Sequence, residues 1–134
     1  MAQQVQTDQA PAPAGAYSQG LVVNGMLYTA GMGPADPATG ELVGDDIGTQ
    51  TNQVLRNLDA VLQAGGSSLA RVVKVTVHLA DLADFAGFDR AYRRLMSEPY
   101  PVRTTVGSTL AGILVEIDCV ATVDVVPGAA AATP

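Results

Sequence analysis

Residues 45–96 read DDIGTQTNQVLRNLDAVLQAGGSSLARVVKVTVHLADLADFAGFDRAYRRLM, and they decide the fold class because two helical patterns flank one strand pattern. Asp46 is placed to cap a helix that runs to about Ala64, where Gly65-Gly66 ends it. Val54, Leu55, Leu58, Val61 and Leu62 recur at helical spacing on one face. Val72–Leu79 alternates instead. Val73, Val75, Val77 and Leu79 are expected on one face of a half-buried strand, with Lys74, Thr76 and His78 on the other. His78 then reads as an exposed strand residue rather than a general base. A second helix over about Asp84–Met96 carries Phe85, Phe88, Tyr92, Leu95 and Met96 along one stripe, a core pattern, and Pro99 and Pro101 end it.

Outward from this segment the periodicity changes to that of strands. Leu21–Val23, the turn Asn24-Gly25 and Met26–Ala30 form a hairpin signal, because Asn-Gly supplies the two positive-φ residues of a type I′ turn. Gly33–Gly44 is loop, and two final strands are expected at about Val102–Val106 and Leu114–Val125. The order ββαβαββ predicts an α+β domain in which two helices cover one face of a mixed sheet. The opposite face keeps apolar residues with nothing in the chain to cover them, so self-association is expected. Residues 1–13 read as a loose arm, residues 14–126 as one domain and residues 127–134 as a frayed tail.

Composition narrows the chemistry. The 134 residues carry a formal charge of −6, which disfavours nucleic acid as a partner, and Arg90, Arg93 and Arg94 are read as a solvated helix face. One cysteine and one histidine are too few for a zinc site and exclude an intrachain disulfide. Neither a membrane span nor a signal peptide is recognisable, so a cytoplasmic protein is expected. Chemistry is left to Arg, Lys, Asp, Glu, Tyr, Ser or Thr.

Four segments contain the candidates: Gly15–Gln19, Thr29–Met32, Pro101–Thr105 and Val115–Asp118. On the exposed parity of its strand Arg103 would be unremarkable. On the buried parity it needs an anion, for which its planar fork suits a carboxylate. The sequence leaves both open. Glu116 points away from the face shared by Val115, Ile117, Cys119, Ala121 and Val123. It is either a general acid or base with a raised pKa or a plain solvent-facing or interface carboxylate. Cys119 reads as an inert packing residue.

Together, GAYSQG, TAGMGP, the run from Thr49 to Phe85, PVRTTV and VEIDCVA resemble the Rid family of enamine/imine deaminases, which also bears an older endoribonuclease label. The similarity runs in order from about Ala14 to Val123. It implies a chorismate-mutase-like fold, a homotrimer with three clefts between subunits, and no cofactor or metal. It further implies that Arg103 grips the substrate carboxylate and that Glu116 activates the attacking water. Tyr17 and Thr105 would line the cleft, and Gly31 would bring backbone close to the ligand. The implied activity is that of a 2-iminobutanoate/2-iminopropanoate deaminase, acting on 2-aminoacrylate, 2-aminocrotonate and related species.

Four positions depart from the family pattern. Met32 stands where glutamine is common, Asp89 where asparagine is common and Thr105 where the best-known deaminases have cysteine. The segment TLAGIL is shorter and lacks the usual Leu-Pro. A non-catalytic trimeric binder of small carboxylates is therefore the alternative. A ribonuclease is disfavoured by the acidic charge and the absence of a paired histidine site.

Overall fold

The computed structural model describes residues 1–124. Its elements are β1 (Gln3–Val5), β2 (Gly20–Val23), β3 (Met26–Thr29), α1 (Ile47–Ala64), β4 (Val72–Leu79), α2 (Phe85–Leu95), β5 (Val102–Gly107) and β6 (Val115–Thr122). The strands form one six-stranded sheet in the order β1-β2-β3-β6-β4-β5. Only β4 and β5 pair in parallel, and α2 supplies the crossover that parallel neighbours require. α1 connects β3 to β4, and β6 returns to pair antiparallel with both. The expected α+β architecture, a mixed sheet with two helices packed on it, is the one observed.

The local chemistry behaves as its residues dictate. Asp46 caps α1 by accepting a hydrogen bond from the Thr49 amide at 3.0 Å. Asn24 and Gly25 take φ of 50° and 75°, and Val23 pairs directly with Met26 across this two-residue turn. Gly65 is required by close approach, because a Cβ there would lie 2.3 Å from Leu27 Cδ1. Val54, Leu55, Leu58, Val61 and Leu62 of α1 are all buried, and they join Leu27, Val75, Val77, Leu79, Ile117 and Ala121 in one core. Each of the Val, Leu and Ile side chains contributes about 1.5–3 kcal/mol relative to remaining in water.

Three expectations are corrected. The segment 1–13 is not a loose arm. Gln3–Val5 adds an antiparallel strand to β2, and Val5 and Ala10 are buried. Gln19 clasps this segment, accepting from the Thr7 amide and donating to the carbonyls of Thr7, Ala10 and Pro11. Val73 does not share a face with Val75. The β4–β6 register shifts between Val72 and Lys74, so Val72 turns inward and Val73 is exposed. On α2 the core stripe is Phe88, Ala91 and Tyr92, continued by Met96, whereas Phe85 and Leu95 are exposed. The final strand ends at Thr122, and the expected tail at 127–134 lies outside the described residues.

The sheet has two unlike faces. One packs on the helices. The other carries the exposed apolar residues Leu21, Tyr28, Val102 and Val106, interspersed with Lys74, Thr76, His78, Glu116 and Asp118. Apart from the segment at Gly31, which lies against Glu116, it is left open by both helices.

Candidate functional site

Arg103 pairs with Val75, a residue of the helix-facing core, so it takes the buried parity of edge strand β5. Its guanidinium carbon lies 4.7 Å from the ring centroid of Tyr92, 5.3 Å from Phe88 and 5.5 Å from Phe85, an aromatic platform supplied by successive turns of α2. The anion that this parity demands is Asp89, whose Oδ1 accepts from Arg103 Nη1 at 2.8 Å. Its Oδ2 accepts from Arg93 Nη2 at 2.9 Å. These bonds, Arg93 first and Arg103 second, hold the Asp89 carboxyl below the usual range. Burial pushes the Tyr92 phenol up, opposed by Arg103, so the hydroxyl stays protonated. That hydroxyl is buried and has no hydrogen-bond partner among the described residues. A cleft of about 350 Å³ opens here, lined by Asp89, Tyr92, Arg93, Tyr100, Pro101 and Arg103.

Glu116 occupies the other face. It pairs with His78 on β4, and its neighbours Val115 and Ile117 point into the core. Reciprocal backbone bonds between Met32 and Ile117, at 2.8 and 3.1 Å, hold Gly31 over the Glu116 side chain. A Cβ on Gly31 would lie 3.0 Å from Glu116 Cδ and 3.2 Å from Oε2, so any larger residue would press on the Glu116 side chain. Tyr17 lies beside them, its hydroxyl accepting from the Ala14 amide at 3.0 Å. Together Tyr17, Gly31, Met32 and Glu116 help line a second cleft of about 450 Å³.

Within one chain the candidate residues therefore fall into two groups on opposite faces of the sheet. Tyr17, Gly31 and Glu116 come together. Arg103 does not join them. Thr105 pairs with Val77 and shares the face of Arg103, but it lines neither cleft. Met32 is buried and occupied in packing and in the bridge to Ile117.

Sequence reasoning missed the union of Asp89 with Arg103. The available signal was the Asp89/Arg93 pair, one turn apart beside the aromatic stripe. The position of His78 is also corrected: it is half-buried, with Nδ1 2.7 Å from Ser108 Oγ. Cys119 is buried and its thiol is pushed up to about 12 by that burial, so it remains an unreactive packing group. Burial also raises the carboxyl of Asp118. No cluster of three or more metal-ligating side chains occurs among the described residues.

Comparison with known proteins places this arrangement. The model of the endoribonuclease L-PSP family matches residues 7–123. Reactive Intermediate Deaminase A, the chloroplastic protein of Arabidopsis thaliana, is 38% identical over 120 residues, which are 88% of this chain and 64% of that protein. A solved structure of the Rid protein YyfA from Yersinia pestis superposes with a TM-score of 0.88 at 36% identity, covering 92% of this chain and all of that one. The structure of Escherichia coli TdcF with bound serine gives a TM-score of 0.84 at 30% identity, covering 91% of this chain and 99% of that chain. With nearly the whole described domain matched in sequence and in fold, the chain belongs to the endoribonuclease L-PSP family, which includes the Rid proteins.

Proposed function

We propose that this protein is a cofactor-free deaminase that hydrolyses small enamines and imines, such as 2-aminoacrylate and 2-aminocrotonate, to 2-keto acids and ammonia. The reading places catalysis in clefts shared between copies of a homotrimer. The observation that carries it is the separation of Arg103 and Glu116 onto opposite sheet faces, each lining its own cleft. A second copy packed on the uncovered face would set the Arg103 cleft of one subunit against the Glu116 cleft of the next. The exposed Leu21, Tyr28, Val102 and Val106 give that packing an apolar contribution. The name of the Arabidopsis relative and the serine bound by TdcF agree with an amino-acid-derived substrate.

The chemistry asks little of the protein. The enamine tautomerises to the imine. Arg103 holds its carboxylate, with the aromatic platform fixing the guanidinium plane. Glu116 accepts one proton from water as the oxygen bonds to the imine carbon and passes it to the imine nitrogen, giving the neutral carbinolamine. Glu116 then takes the hydroxyl proton and delivers it to the nitrogen as the C–N bond breaks, which releases ammonia and leaves the keto acid. Orientation and electrostatics are sufficient for such a step. The site calls for neither nucleic acid nor membrane. No described helix is long and apolar enough to cross a membrane.

With 2-aminoacrylate generated in situ, the protein should accelerate release of ammonia and pyruvate above the spontaneous rate. Binding of pyruvate without acceleration would favour the non-catalytic carboxylate binder. In solution the protein should scatter light as about three chain masses, the closed ring that shared clefts require. A clean monomer at micromolar concentration would contradict the shared cleft.

A further inference from the structure

The Arg103 cleft already contains a carboxylate. Asp89 is shared between Arg103, at 2.8 Å, and Arg93, at 2.9 Å. The two contacts are unequal in kind. Arg93 is a helix neighbour with its side chain 68% exposed, and such a pair is weak and screened by salt. Arg103 is 21% exposed and stacked on three rings, so its charge is largely withdrawn from water and needs compensation. Its bond to Asp89 uses one of five N–H donors, and it is the guanidinium's one hydrogen bond to a described residue.

The charge count follows from the lining residues. Within one chain the lining sets one carboxylate against two guanidinium groups, and Glu116 of a second copy would add another negative charge to the shared cleft. A ligand with one carboxylate pairs with the donors of Arg103 that Asp89 leaves free. A ligand with two carboxylates brings a second negative charge into a cleft where Asp89 repels it and no further cation lies in the lining.

We propose that Asp89 is a specificity-determining residue that half-occupies the Arg103 fork and restricts the cleft to ligands bearing one carboxylate. The inference rests on the reading of Arg103 as the substrate anchor. Asp89 acts through Arg103 and through its own charge, and it takes no part in bond making.

The test is calorimetric titration of the full-length protein with pyruvate and with 2-oxoglutarate, for wild type, Asp89→Asn and Arg103→Ala. Asparagine keeps the oxygen that accepts from Arg103 but removes the negative charge. Wild type should prefer pyruvate. Asp89→Asn should bind both acids more tightly and shift the ratio toward 2-oxoglutarate by about tenfold, the order expected for one charge a few ångströms away in a half-exposed cleft. That shift should shrink as salt is raised. Asp89→Ala, which also removes the charge, should move the ratio the same way and serves if the asparagine variant folds poorly. An unchanged ratio in both variants, or weaker binding of both acids, would overturn the inference and leave Asp89 as a structural counter-ion. If wild type binds pyruvate through Arg103 while the ratio stays fixed, only the role of Asp89 fails. If neither wild type nor Asp89→Asn binds either acid, the anchor reading fails with it.

Discussion

Arg103→Ala should abolish both deamination and the thermal protection that pyruvate or 2-oxobutanoate is expected to give the wild type. Protection reports binding to the folded state and grows with ligand concentration over Kd, so it separates anchoring from chemistry. The expected loss is large because the arginine combines several features: a rigid fork, a stacking platform of Phe85, Phe88 and Tyr92, and an orienting bond from Asp89. Arg103→Lys should recover little, since an ammonium group reproduces neither the bidentate geometry nor the stacking. Loss of the guanidinium also leaves the rings uncapped, so the melting temperature of the unliganded variant must be measured alongside. A variant that remains folded and still binds keto acids like the wild type would place the anchor elsewhere.

Glu116→Gln should separate binding from turnover. Glutamine keeps the shape that fits beneath Gly31 and most of the hydrogen-bonding capacity, but it is not a base for water. Pyruvate protection should survive, while turnover falls by about 10²–10⁴-fold, the usual worth of general acid–base assistance. A drop in kcat with little change in KM is the expected pattern. Unchanged turnover would make Glu116 a structural residue and require another group to activate the water.

Much of the fold was legible because it is written in periods. The helical spacing of Val54 to Leu62, the alternation from Val75 to Leu79 and the Asn24-Gly25 turn each specify an element without outside help. What escaped was set by partners rather than by pattern. β1 is three residues long and contains two glutamines, and it exists because β2 offers an edge and Gln19 ties down the chain that follows. The bulge at Val72–Lys74 is invisible to alternation, since one extra residue reverses the parity of everything before it. At the site, the parity of Glu116 could be read within its own strand. That of Arg103 could not, because β5 is short and its facing depends on pairing with Val75. The Asp89–Arg103 bond joins α2 to β5 across 14 positions, and no local rule predicts it.

The central claim is that each working cleft takes Arg103 from one copy and Glu116 from another. Co-expression of Arg103→Ala and Glu116→Gln chains, carrying different affinity tags, would test it directly once mixed oligomers are purified through both tags. Each parent alone should be nearly inactive on freshly generated 2-aminoacrylate. Each doubly tagged trimer, whichever chain is present twice, has one cleft in three that combines an intact Arg103 with an intact Glu116, so about a third of the wild-type rate of ammonia release should return. Mixed assemblies no more active than their parents would contradict the shared cleft.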